Sequence, residues 1–88
     1  MISNAVTVNT TAQRIITKSN AWRTVYLHVV GAGTVYIGGS DVTSTNGLLT
    51  EKNAVPLQIE IPAQEELWAV TGSGTESLRI MKPLNYGE

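Results

Sequence analysis

The sequence predicts an all-β chain: a single small antiparallel β-sandwich or jelly-roll-like barrel of about seven to eight short strands. Three observations predict it. Eleven threonines and eight glycines, with many valines and isoleucines, favour pleated structure over helix. Turn signals recur about every 8–12 residues, the spacing of sandwiches and barrels. No window holds an i, i+3, i+4, i+7 apolar pattern long enough for a helix.

Taken in order, Met1 to Thr11 holds a short alternating segment, with Val6 and Val8 on one face and Ala5, Thr7 and Asn9 on the other. Its polar flanks mark 1–11 as an edge strand or an N-terminal arm. Gln13 to Thr17 is a second strand, with Ile15 and Ile16 expected on opposite sides. After a turn at 18–21, Trp22 and Arg23 lead into Thr24 to Gly39, where two β-branched and aromatic runs flank Gly31-Ala32-Gly33. That pattern predicts a tight hairpin. In it Val30 pairs with Thr34, Val29 faces Val35 and Leu27 faces Ile37. Val25, Leu27, Val29, Val35 and Ile37 form the core side. Tyr26, His28, Val30 and Tyr36 form the other side, with His28 facing Tyr36.

Gly38 to Gly47 is a loop, opened by paired glycines and closed by Asn46-Gly47; Ser40-Asp41 can start one turn of helix or 3₁₀ there, with Ser40 or Asp41 as its cap. Leu48 and Leu49 re-enter the fold before a polar turn at 50–53. Between Pro56 and Pro62, Leu57, Ile59 and Ile61 face inward and Gln58 and Glu60 face water. Glu66 to Thr71 and Glu76 to Met81 read as a last hairpin around Gly72-Ser73-Gly74. Trp68, Val70, Leu78 and Ile80 share its inner face, and Trp68 is the largest core candidate. Residues 83–88 are a tail without periodicity that carries Leu84 and Tyr86.

Eighty-eight residues suffice for one domain and leave no room for a second core. A chain this short buries only about 60–65% of its unfolded surface, so oligomerisation is a natural source of added stability. The absence of cysteine excludes disulfides and thiolate metal sites. A net charge of −1, with the six basic residues scattered, argues against nucleic acid as a partner. No stretch approaches the roughly 20 apolar residues of a helical membrane span, so no membrane partner is expected. The N-terminus has neither a basic region nor an apolar core, so it does not read as a signal peptide, and synthesis in a cytoplasm is expected.

Candidate chemistry is sparse. His28 is the single histidine, mid-strand, with no cysteine or carboxylate beside it; a packing or interface role outweighs a base or a metal ligand. Glu65 and Glu66 are neighbours whose side chains point to opposite faces of a strand, so they cannot act together on one substrate. Both glycine-rich loops run strand to strand rather than strand to helix, which excludes a phosphate cradle. Ser40, Asp41 and Thr43 offer oxygens in one loop, but a calcium loop brings several carboxylates, and caps and turns are the better reading. Trp22, Tyr26 and Tyr36 could build a sugar platform, with Gln13, Asn20 and Arg23 as polar partners. No catalytic residue, metal or cofactor is expected.

One resemblance extends over the whole chain. An early Arg-Ile-Ile strand (14–16) is followed by Arg-Thr-Val-Tyr-Leu (23–27). Thr-Val-Tyr-Ile-Gly-Gly-Ser-Asp-Val-Thr (34–43) comes next, then Asn46-Gly47. Glu66 to Val70 and Leu78 to Ile80 complete the set. Together they resemble a recurring small β-sandwich module of tailed-bacteriophage virions, and residues 35–43 are the most specific part. Such modules serve as stand-alone capsid decoration (cement) proteins and as domains of head-fibre or tail proteins.

The resemblance implies a structural virion protein on the capsid surface, made in the host cytoplasm, not an enzyme. It is expected to self-associate, as a homotrimer, and to bind the major capsid protein or another virion protein. Tyr26, His28, Val30 and Tyr36 are the expected subunit interface. Val6 and Val8 of the arm, or Leu84 and Tyr86 of the tail, are the expected capsid contacts, made by strand addition. The alternative is a neck, head-fibre or tail component with a receptor- or glycan-binding role.

Overall fold

The computed structural model describes residues 2–83, so Leu84 and Tyr86 lie outside the described residues. Eight strands follow in order: β1 (Ile2–Val8), β2 (Gln13–Ile16), β3 (Arg23–Val29), β4 (Thr34–Gly38), β5 (Leu48–Glu51), β6 (Leu57–Ile61), β7 (Leu67–Thr71) and β8 (Glu76–Lys82). They form two antiparallel four-stranded sheets, ordered β1-β8-β3-β6 and β2-β7-β4-β5. The chain is all-β, a small β-sandwich. Of the seven connections only β4 to β5 stays within a sheet, and the other six cross between sheets. This alternation is the strand order of a jelly roll.

Local sequence explains the strands well. Prolines bracket β6, because a proline cannot donate to a ladder. In β3, Val25, Leu27 and Val29 alternate inward; in β4, Val35 and Ile37 do. In β8 the inward pair is Leu78 and Ile80. With Val8, Ile16, Ile61, Leu67 and Ala69 these side chains make one buried cluster, wholly aliphatic. Each valine, leucine or isoleucine of the cluster contributes roughly 1.5–3 kcal/mol on burial.

The two expected hairpins do not form. β3 pairs with β6 and β8, whereas β4 pairs with β5 and β7, so Gly31-Ala32-Gly33 is a corner between sheets. Gly72-Ser73-Gly74 is a second corner, from β7 in one sheet to β8 in the other. The first corner is set by a distant residue. The Gly33 N–H donates to Glu76 Oε2 at 2.7 Å, and a Cβ on Gly31 or Gly33 would strike the same carboxylate. Glycine there leaves room for the Glu76 carboxylate, and no hairpin turn is involved.

β7 also enters in the opposite phase. Leu67, Ala69 and Thr71 point inward, while Trp68 and Val70 take the outer face. All five residues from Leu67 to Thr71 are compatible with burial, so alternation alone does not choose the phase. In β2 the register shifts between Arg14 and Ile16. That bulge lets Ile15 pack on the core beside the fully buried Ile16, instead of pointing away from it.

Two groups of connections cap the sandwich. At one end the Thr71 N–H donates to the Asn9 carbonyl (2.9 Å) and the Val30 N–H to that of Ser77 (3.1 Å). At the other end, loops 17–22 and 62–66 are joined. The Gln64 N–H donates to the Ser19 carbonyl (2.8 Å) and its Nε2 to Asn20 Oδ1 (2.6 Å). Arg23, only 4% exposed, reaches both loops: Nη1 donates to the Thr17 carbonyl and Nη2 to the Glu65 carbonyl at 2.9 Å. Both described ends of the chain, paired as Ile2 with Lys82, lie at this second end.

Candidate functional site

The aromatic side chains define the candidate surfaces, because none of the four in the described residues enters the buried cluster. Tyr26 and His28 lie on the outer face of the β1-β8-β3-β6 sheet. Cross-strand pairing sets Tyr26 beside Met81 and His28 beside Arg79, with Ser3 and Ala5 of β1 continuing the two rows. The result is a shallow groove of about 390 Å³, lined chiefly by Ala5, Tyr26, His28, Pro56, Arg79 and Met81. The small side chains of β1 leave the flanks of Met81 and Arg79 open, and Met81 and Tyr26 are both exposed. His28 Nδ1 is buried without a hydrogen-bond partner among the described residues. The groove offers an apolar floor, the imidazole ring of His28 and one guanidinium. Among the described residues no carboxylate lines the groove, and the hydroxyls of its lining are those of Ser3 and Tyr26.

Tyr36 is on the other side of the molecule. It lies on the outer face of the β2-β7-β4-β5 sheet, between Leu49 and Val70. The expected contact of His28 with Tyr36 is thus overturned, for the same reason that the hairpin is: β3 and β4 belong to opposite sheets. Val30 stands past the end of β3 at the corner, exposed. Tyr26, His28, Val30 and Tyr36 do not make one patch. Val6 and Val8 are likewise not on a free arm. β1 pairs with β8 along its whole length, Val8 is fully buried and Val6 packs against the core.

Residues 39–47 fold back over the Tyr36 face. Val42 is buried there, outside the main core, against the bare backbone of Gly38. A Cβ at Gly47 would lie 2.5 Å from Tyr36 Cβ and 2.8 Å from Val42 Cγ2. The most distinctive segment of the sequence, 35–43 with Asn46-Gly47, therefore encodes a satellite cluster of Tyr36 and Val42 closed by two glycines. Its polar atoms serve the loop itself. The Thr43 N–H donates to Asn46 Oδ1 (2.7 Å), Asn46 Nδ2 to the Asp41 carbonyl (3.3 Å) and the Gly47 N–H to the Thr43 carbonyl (3.0 Å). At Ser40-Asp41 the chain makes a single tight turn, with the Val42 N–H donating to the Gly39 carbonyl, the i to i+3 bond of a 3₁₀ turn that is not continued into a helix.

At the second end Lys18, Ser40, Asp41, Gln64, Glu66 and Trp68 line a polar cleft of about 440 Å³. Glu66 pairs with Arg14 at 3.1 Å and accepts from Trp68 Nε1 at 3.4 Å, which fixes the indole against the outer face. An exposed pair of this kind is worth at most about 1 kcal/mol, so it orients more than it stabilises. Glu65 contributes its carbonyl to Arg23, so the two neighbouring glutamates do separate jobs. Trp22 is 68% exposed in the loop 17–22. Trp22, Tyr26 and Tyr36 thus occupy the loop end and two opposite faces, and no sugar platform joins them. Gln13 Nε2 is spent on the Thr7 carbonyl (2.9 Å) and Arg23 is buried.

Among the described residues no three His, Cys, Asp or Glu side chains are grouped to hold a metal ion. Met81, Arg79 and Trp68 are the surface residues that sequence reasoning missed. The alternation of β8 places Arg79 and Met81 outward, but their proximity to Tyr26 and His28 depends on a pairing of β8 with β3 that no local signal announces. No family model, curated protein or solved structure matches the chain.

Proposed function

We propose that the chain is a structural protein of a tailed-phage virion, a capsid decoration protein that self-associates and binds the shell to stabilise it. The observation that carries this reading is the distribution of the aromatic residues. In a chain with an aliphatic core, Tyr26, Tyr36, Trp22 and Trp68 are spent on two outer faces and one loop end. A protein that bridges neighbouring capsomers needs a stiff body with contact surfaces on several sides, and aromatics outside the core are residues that such contacts favour; Trp22 and Tyr26 are exposed, and Tyr36 and Trp68 are half-buried. The jelly-roll strand order also suits the role, since that architecture recurs in capsid proteins. The test is binding of the purified chain to capsids of the parent phage assembled without it. Saturable binding that raises capsid melting supports the reading, and the absence of saturable binding defeats it.

A second reading, a neck, fibre or tail component that recognises a glycan, is favoured by the cleft between Lys18, Asp41 and Trp68, which combines an indole with donors and acceptors. A glycan array separates the two. A hit lost in Trp68→Leu and Asp41→Ala supports glycan recognition, and a blank array removes it.

A further inference from the structure

Each sheet of an open sandwich has two edge strands, and four such edges need protection from pairing with other chains. Three of them have it. β6 is bracketed by Pro56 and Pro62 and carries Glu60. β2 is four residues long, contains Arg14 and is broken by a bulge. β5 is also four residues and ends in Glu51-Lys52.

β1 has none of these devices. It runs seven residues, Ile-Ser-Asn-Ala-Val-Thr-Val, in unbroken register with β8, without a charge, a proline, a glycine or a bulge. Its outer-face residues Ser3, Ala5 and Thr7 are small and exposed, so a neighbouring strand can approach without steric conflict. Among the described residues one side chain donates to this edge: Gln13 Nε2 donates to the Thr7 carbonyl, which retains a second lone pair.

We infer that β1 is an interface between two copies of this chain, joined antiparallel about a two-fold axis at Ala5. The strand is self-complementary in that register. Ala5 meets Ala5 and Ser3 meets Thr7 on the outer face, a favourable hydroxyl pair. Ile2 meets Val8 on the inner face, an apolar pair, and Asn4 meets Val6. No like charges meet within the strand pair. Centring any of the other edges on its own copy brings proline ends, a bulge or a charged residue to the seam. Pairing at β1 merges two four-stranded sheets into one of eight, ordered β6-β3-β8-β1-β1-β8-β3-β6, and sets the Tyr26–Met81 grooves on one continuous surface. This two-fold contact replaces the three-fold contact expected from a single Tyr26–Tyr36 patch. It does not depend on capsid binding.

Sedimentation velocity of the whole chain at micromolar concentration tests it. The expected species has twice the 9.4 kDa chain mass. Ala5→Lys, at an exposed position, is expected to weaken association at least tenfold while circular dichroism stays unchanged, and Ser3→Lys serves if that variant misfolds. Because the chain has no cysteine, Ala5→Cys introduces a single thiol. Facing residues of an antiparallel hydrogen-bonded pair sit with Cα atoms about 5.5 Å apart, within disulfide reach. Ala5→Cys should therefore oxidise to a covalent dimer, while Gln58→Cys on the β6 edge forms no covalent dimer. A single-chain mass, a trimer, or a dimer indifferent to both lysine substitutions overturns the inference.

Discussion

Thr50 places a hydroxyl in a wall of methyl groups. It is 2% exposed, paired across the sheet with Val35, and its Oγ1 has no hydrogen-bond partner among the described residues. Leaving a buried hydroxyl unsatisfied costs about 1–3 kcal/mol, and removing it at constant shape recovers part of that. Thr50→Val is expected to stabilise the fold by about 1 kcal/mol, a rise of roughly 4–8 °C in Tm for a domain of this size. A fall in Tm would mean that the hydroxyl is satisfied in solution. Glu76 is the opposite case, a carboxylate that earns its place by receiving the Gly33 N–H. Glu76→Ala should cost about 1–3 kcal/mol. Gly31→Ala displaces the same carboxylate and should cost a similar amount. The double variant should then lose little more than either single one, because both remove one interaction. Additive losses in urea melts would show that the corner is held by something else.

Among the elements, the segment 39–47 is the most tightly specified. Gly47→Ala forces a methyl group into Tyr36, Val42 and the Thr43 carbonyl at once, and two of these are near or part of the backbone. Overpacking of this kind costs about 1–3 kcal/mol or more, and limited proteolysis should cut the loop in that variant before the body. Arg23 ties loops 17–22 and 62–66 through two carbonyls. Arg23→Met keeps the buried stem but releases both, at a cost of about 1–3 kcal/mol. Hydrogen exchange should then quicken in those loops and leave β3 protected; uniform acceleration would contradict this local role.

The same elements mark how far the sequence can be read. Inner faces of β3, β4, β6 and β8 are legible because alternation is a local property of adjacent residues. Pairing is not. A glycine corner and a glycine hairpin share the same residues, and what separates them is the pairing of β3 with β6 and β8 and of β4 with β5 and β7, strands that lie farther along the chain. The candidate surface suffered with it. Tyr26 and His28 stand outward as their phase requires, but their neighbours are Met81 and Arg79, not Tyr36. Trp68 illustrates a second limit, since a strand apolar at nearly every position carries no phase of its own.

At the scale of the molecule, the chain is a thin aliphatic sandwich whose rings all face outward among the described residues. Burying them in the interior would have strengthened a small core; placing them outside equips the body for contacts. The Tyr26–Met81 groove on one sheet and the exposed Trp22 at the loop end are separate surfaces, while the Tyr36–Val42 cluster on the other sheet is packed under residues 39–47. Double substitution Tyr26→Ser with Met81→Ser should leave the Tm within a few degrees, since neither side chain is in the buried cluster, and should weaken capsid binding at least tenfold. Unchanged binding would move the contact to another face. The most direct measurement is a reconstruction of the parent particle. The proposed function predicts density for this sandwich on the outer surface of the shell, seated across seams between capsomers. Density confined to the neck, a fibre or the tail, or no density for the chain in the particle, would contradict it.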